Sequence, residues 1–259
     1  MSEREVIELG HEFYDAMPAP PHHFGYRRTS IRRHGDQHRS DGGSSANDLV
    51  MMGTHVGTHI DAFCHASHDG RIYGGAVAGS SIDDSGSIEH AMETVPPLIT
   101  RGWLLDIPIV VGVDRLPPGH VIDRSQLLAA LQLGGLRPQS GDVLLIRTGW
   151  SNRFGIASDY LTNSAGVPGI DEDAARFLLE FRPIAIGADN PGVEFMPGPR
   201  HELVLPVHRL LLVDHGVYML ENLQLEDLHA RGHTEFDFLA LPLRLRGATA
   251  SPIRPVAMI

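Results

Sequence analysis

His55-Val-Gly-Thr-His59-Ile-Asp61-Ala-Phe-Cys-His65 places three imidazoles and one carboxylate within eleven residues. These are side chains that bind divalent metals. All four sit at odd positions, so an extended chain projects them from one face. On a helix, at about 100° per residue, only His55 and His59 share a face. Gly57 and the β-branched Val56, Thr58 and Ile60 also disfavour a helix. The stretch therefore reads as a strand that delivers a row of ligands into a pocket. A straight strand rises about 3.3 Å per residue, which sets His55 and His65 roughly 30 Å apart. One ion cannot gather all four unless the chain bends, and Gly57 is the natural place for a bulge. The spacing points to His55, His59 and Asp61 as the ligand set, with His65 further along the same wall. Cys64 has even parity and reads as a small buried side chain pointing away.

The chemistry of that set is specific. A catalytic metal has about three protein ligands and a position left for water or substrate. Two imidazoles and one carboxylate leave a divalent ion net positive, so it remains a Lewis acid and acidifies water. His65 is suited to take the released proton, since an unperturbed imidazole titrates at about 6.5. Structural metal sites usually complete themselves with Cys, and the chain has one cysteine. His and Asp ligands suit zinc and manganese alike. Further along, His208 leads an apolar Leu210–Val213 segment. Glu221 sits inside the apolar run Val217–Leu223, where an unpaired carboxylate is costly. Its partner is an arginine or backbone amide on one reading, a metal on the other. Asp189 and Asn190 follow a buried strand directly, as a site or as a plain turn.

Composition bounds the rest. The 259 residues suffice for one large domain, with 42% hydrophobic and 20% charged residues, as in an ordinary globular protein. A single cysteine forms no internal disulfide, which suits a reducing cytoplasm. The acidic start Met1-Ser-Glu-Arg-Glu5 does not read as a signal peptide, and no apolar run predicts a transmembrane helix. A formal charge of -11 argues against nucleic acid as a partner. Arg27, Arg28, Arg32 and Arg33 read as solvated loop charges. No Gly-x-Ser-x-Gly elbow, His-Glu-x-x-His helix or Gly-rich phosphate loop is present in the sequence.

Strand and helix signals are interspersed. Residues 5–9, 142–147, 184–187, 217–221, 236–245 and 253–259 carry strand character, and 103–112 contain at least one buried strand. Residues 123–134 and 172–181 read as helices capped by Asp123 and Asp171. Pro206 can open a helix carrying His208. Residues 79–90 read as loop. Residues 17–48 are rich in Pro, Gly, His and Arg and form an irregular N-terminal arm. Phe24 and Tyr26 on it either cover a pocket or pack on the body. The pattern predicts a single mixed α/β domain over residues 1–259.

The signature His-x-Gly-Thr-His-x-Asp-x-x-x-His resembles that of the metal-dependent cyclase family, which includes bacterial kynurenine formamidase and isatin hydrolase. Asp69-Gly-Arg-Ile-Tyr-Gly-Gly75, Gly141–Trp150, Gly187-Ala-Asp-Asn190, and His208 followed by Gly216–Leu223 look like further landmarks of that family, in order, over roughly residues 5–245. The resemblance implies a β-barrel-like core flanked by helices (swivelling β/β/α), a homodimer or homotetramer whose arms help shape neighbouring sites, and one or two zinc or manganese ions. Carried onto matching positions, His55, His59 and Asp61 are metal ligands. Asp61 bridges to a second ion held by His208 and Glu221, and His65 is the general acid/base. The implied activity is hydrolysis of a C–N bond in a small-molecule substrate, a cyclic amide or an N-acyl aryl amine, with metal-bound hydroxide as nucleophile. Phe24, Tyr26, Phe63 and Trp150 are expected in an aromatic pocket wall, with Asp189 also facing the substrate. Phe63 stands where kynurenine formamidases carry proline, which places the chain nearer the longer cyclase-like hydrolases. A lactone hydrolase, a cyclase/dehydratase and a non-catalytic small-ligand binder are the alternatives on the same scaffold.

Overall fold

Side-chain alternation along the apolar runs builds the architecture. In Leu98–Asp106, Trp103 and Leu105 enter one core while Leu104 enters another. In Val143–Arg147, Leu144 and Ile146 alternate in the same way with Val143 and Leu145. Strands buried on both faces read as continuous hydrophobic runs, the mark of parallel strands under helices. The computed structural model describes residues 4–80, 82–83, 86–87, 89–161, 164–197 and 204–259.

A curled nine-stranded mixed sheet runs through it. Its spatial order is Val6–Glu8, Val256–Met258, Glu235–Ala240, Leu98–Asp106, Val143–Arg147, Ala185–Ala188, Tyr218–Glu221, His59–Asp61 and Ala250–Pro252. The middle strands, from Leu98–Asp106 to Tyr218–Glu221, are mutually parallel, and the flanking pairs are antiparallel. Helices Arg124–Gly134 and Glu172–Leu179 and the helical segment 206–215 cover one face. On the other face Ile60, Leu220, Phe236 and Phe238 form the second core. The two capped helices begin where their signals lie. Asp123 closes a capping box with Gln126, and Asp171 accepts from Ala174 N. The mixed α/β fold and its half-barrel sheet match expectation. Among the described residues no helix is long and apolar enough to cross a membrane.

Three expectations need correction. The ligand stretch is not one strand: only His59–Asp61 is extended, His55 lies in a turn, and Phe63–His65 is a 3-10 turn. The buried strand expected within 103–112 is present as the end of Leu98–Asp106, and Ile107–Val111 after it is a short helix, because Asp106 accepts from Ile109 N and Pro108 sits in the first turn. The arm is partly ordered, with Arg27–Arg32 pairing Asn47–Met51 as an exposed antiparallel ribbon. At the C-terminal end the strands are Glu235–Ala240, Ala250–Pro252 and Val256–Met258, so residues 241–245 lie outside any strand. Of the loop expected at 79–90, residues 81, 84, 85 and 88 lie outside the described residues.

Candidate metal centre and active site

The site forms where ligand-bearing segments meet at the carboxyl ends of the parallel strands, a common location for α/β sites. His59 and Asp61 flank Ile60, which packs in the second core, so both turn toward the helix-covered face. The antiparallel register sets Glu221 opposite His59 and Met219 opposite Asp61. The helical segment 206–215 lies over this face and supplies His208.

Gly57 makes the bend the sequence demanded. It holds φ +70, and a side chain there would meet Phe13 Cε1 at 2.5 Å and Met17 Cε at 2.8 Å. The bend turns His55 back, so its Nδ1 lies 2.8 Å from Asp61 Oδ1. The 3-10 turn after Asp61 brings the His65 ring to 3.9 Å from the His55 ring. The predicted separation of the two ends thus collapses. His59 Nε2 lies 3.4 Å from both Asp61 Oδ1 and Glu221 Oε2, and His208 Nε2 lies 3.1 Å from Glu221 Oε1.

These atoms face one another without bonding one another. His59 Nε2, both Asp61 oxygens and Glu221 Oε1 are buried and have no well-aligned hydrogen-bond partner, although His55 and His208 approach closely. Donor atoms aimed at shared points rather than at each other are the arrangement a cation requires. Two sets of three have ligand atoms within 4.8 Å of one another: His55, Asp61 and His65, and His59, Asp61 and Glu221. Asp61 belongs to both.

The protonation pattern agrees. Burial works against charge on His59, yet Asp61 and Glu221 raise it to about 9. Burial likewise opposes His208, but Glu194 and Glu221 lift it to about 10. Burial pushes Asp61 up, and the surrounding His65, His55 and His59 imidazoles more than reverse this, holding it well below the usual carboxylate range. The metal-free site therefore retains protons that a cation would displace. His65 differs: burial pushes it down to about 4, so it is neutral at pH 7.

A cavity of about 300 Å³ opens above these groups. His55, His65, His208 and Glu221 line its floor, Pro18, Pro20 and Pro21 of the arm one wall, and Leu161, Met196 and Leu205 another. A larger cavity of about 660 Å³ lies beside Arg147, but that guanidinium is already bonded to Asp106, Glu226 and the Asp114 carbonyl.

The expected aromatic wall is absent from the described lining. Phe63 stacks on Tyr218 in the second core, with ring centroids 4.2 Å apart. Trp150 is fully buried and donates Nε1–H to the Tyr160 carbonyl. Tyr26 packs near Phe13, and Phe24 is exposed on the arm. Phe63 and Trp150 went to cores because burial there gains more than a small cavity offers. Asp189 is also not at the cavity. Its carboxylate accepts from Thr148 N, Thr148 Oγ1 and Gly149 N, which ties two strand ends together. Cys64 lies in the second core, away from the donors.

Four contributors escaped sequence reasoning. His22 and His23 line the cavity mouth from a segment that resembled solvated arm. Asn222 holds φ +55 and donates Nδ2–H to the Gly57 carbonyl, which also accepts from His59 Nδ1. An Asn after a buried strand was its signal, since Asn tolerates this conformation. Glu194 accepts from His208 Nδ1 at 2.5 Å, and nothing local to its Pro/Gly-rich loop marked it.

Similarity to known proteins points the same way. A curated kynurenine formamidase from Bacillus cereus is 29% identical over 220 residues, covering 84% of this chain and 82% of that protein. A crystal structure described as a novel cyclase superposes with a TM-score of 0.89 at 29% identity, covering 99% of this chain and 87% of the other. Isatin hydrolase A from Ralstonia solanacearum superposes at 0.75 with 22% identity, covering 99% and 92%, and speaks to the fold alone. The Cyclase family pattern matches residues 7–195, well over half of the sequence and all of the His55–His65 signature, and the chain belongs to that family.

Proposed function

We propose that this chain is a metal-dependent hydrolase of a non-peptide C–N bond, acting on a cyclic amide or an N-acyl aryl amine. The observation that carries the reading is the pair of donor sets sharing Asp61, one of them including the neutral imidazole of His65, with His55, His65 and Glu221 lining a cavity above them. Similarity to a kynurenine formamidase supports the amide substrate class.

His55, His59, Asp61, His208 and Glu221 are the residues that would hold zinc or manganese, with Asp61 shared between two ions. A divalent cation there supplies Lewis acidity to the substrate carbonyl and makes water a better nucleophile at neutral pH. His65 lies on the cavity floor and accepts the proton as the water oxygen bonds to the carbonyl carbon. When the C–N bond breaks, His65 returns that proton to the departing nitrogen, leaving a carboxylic acid and an amine. The apolar walls of Pro18, Pro20, Pro21, Leu161, Met196 and Leu205 pack on the substrate ring and exclude bulk water. His65 also belongs to the His55–Asp61–His65 donor set; its place in the cavity lining supports the base assignment.

The same reading includes a homodimer or homotetramer. The ribbon of Arg27–Arg32 and Asn47–Met51 leaves Ile31, Leu49, Val50 and Met51 exposed, which supports burial against a second copy.

The test is product analysis on formanilides, isatin and aryl lactones with zinc- or manganese-loaded protein. The reading expects amide cleavage with equal amounts of carboxylate and amine released. Turnover of lactones with none of amides contradicts it.

A further inference from the structure

We propose that Glu194 is a positioning residue that makes the His208–Glu221 end of the donor set the tighter ion site; this rests on the metal reading above. Glu194 is 1% exposed, and a buried carboxylate is tolerated only when its oxygens are satisfied. Its oxygens accept from Val207 N at 3.1 Å, His208 N at 2.9 Å and His208 Nδ1 at 2.5 Å. Two of these donors belong to the first turn of the helix that opens at Pro206, whose own cap residue, Leu205, offers no side-chain bond. The third is the ring. One carboxylate thus holds both the helix and the imidazole it carries.

The loop bearing Glu194 is built to hold it still. Asn190 Oδ1 accepts from Val193 N at 2.6 Å, and Asn190 Nδ2 donates to the Pro168 carbonyl at 2.5 Å. Val193 takes the left-handed conformation, and any side chain at Gly169 would collide with the Glu194 backbone. With Nδ1 donating to Glu194, His208 Nε2 is directed at Glu221 Oε1, 3.1 Å away, so that an ion displacing the proton between them meets both donor atoms.

The other two imidazoles of the proposed ligand set are backed differently. His59 Nδ1 meets the neutral Gly57 carbonyl, and His55 Nε2 meets the Thr249 hydroxyl. Only His208, among these three, is backed by a carboxylate. A charged partner makes an imidazole a stronger ligand, and losing such a partner typically costs 10–100-fold in metal affinity.

The experiment is a zinc titration of metal-stripped full-length protein against a competing chelator, for wild type, Glu194→Gln, His208→Ala and the double variant. The expected result is a 10–100-fold loss in the tighter binding step for Glu194→Gln, with the weaker step unchanged. In the His208→Ala background, Glu194→Gln adds nothing further, because its effect runs through that ring. Equal losses in both backgrounds assign Glu194 to helix capping alone and overturn the proposal, as does an unchanged Glu194→Gln titration. Should Glu194→Gln not fold, imidazole nitrogen NMR on zinc-loaded wild type decides. Coordination of His208 through Nε2 with a proton on Nδ1 is expected; coordination through Nδ1 overturns it. If wild type binds neither zinc nor manganese, the metal reading itself fails and takes this assignment with it.

Discussion

Glu221 stands directly across the sheet from His59, its Oε2 3.4 Å from Nε2. The relationship is set by strand register, not by local sequence. Because side chains alternate with period two, a slip of one residue would send Glu221 into the apolar core and Leu220 to the donors. The buried apolar residues Ile60 and Leu220 hold the register that brings the ligands together. Core packing and site assembly are therefore one constraint.

Gly57→Ala should damage both. The residue adopts φ +70, and a methyl group there would press on Phe13 and Met17. A loss of about 1–3 kcal/mol in unfolding free energy is expected from the backbone strain. Because the Gly57 carbonyl orients His59, metal affinity should fall as well. Denaturant unfolding and a metal titration check the two parts separately.

His65→Ala should keep the ions and lose turnover. Removing a general acid/base typically lowers the rate about 10²–10⁴-fold. Elemental analysis of the purified variant and its rate on a formanilide provide the check. Loss of the metal along with the activity would make His65 a ligand instead.

The metal-free protein should weaken toward alkaline pH. His59 and His208 are raised from 6.5 to about 9 and about 10. The folded state thus holds protons that the unfolded chain releases above about pH 6.5. Stability from these groups is full below pH 6.5 and is lost as pH rises through 9 and 10. Thermal melts from pH 6 to 10 should show the melting temperature fall, and saturating zinc should flatten that fall.

His11 predicts the opposite slope on the acid side. Its ring stacks on Phe154 at 3.8 Å, and burial pushes it down to about 4 against a bond to the Leu223 backbone. The unfolded chain takes up a proton below about pH 6.5 that the folded ring refuses until about pH 4. Acidification across that window should cost about 3 kcal/mol. In His11→Gln the stability change between pH 6.5 and 4 should shrink by that amount.

Much of the site could be read before the structure. The density of the His55–His65 stretch named His59 and Asp61, Gly57 announced the bend, and a carboxylate in the apolar run around Glu221 required a partner. The return of His65 to His55 was not legible, since periodicity says nothing of a 3-10 turn after a three-residue strand. The strand within 103–112 was legible from its apolar run, while the helix Ile107–Val111 that follows it depends on the Asp106 cap and Pro108. Phe63 and Trp150 misled because ring chemistry fits a pocket and a core equally well, and core burial won. Glu194 stayed hidden because its partners are two backbone amides and a ring more than a dozen residues away.

The central claim is that turnover depends on a divalent ion held by these donors. Its most direct test is the hydrolysis rate of formanilide and isatin before metal stripping, after it, and after zinc or manganese is returned. The account predicts amide cleavage that disappears on stripping and returns with the ion in wild type, but not in Asp61→Asn. Cleavage that persists in verified metal-free protein would contradict it.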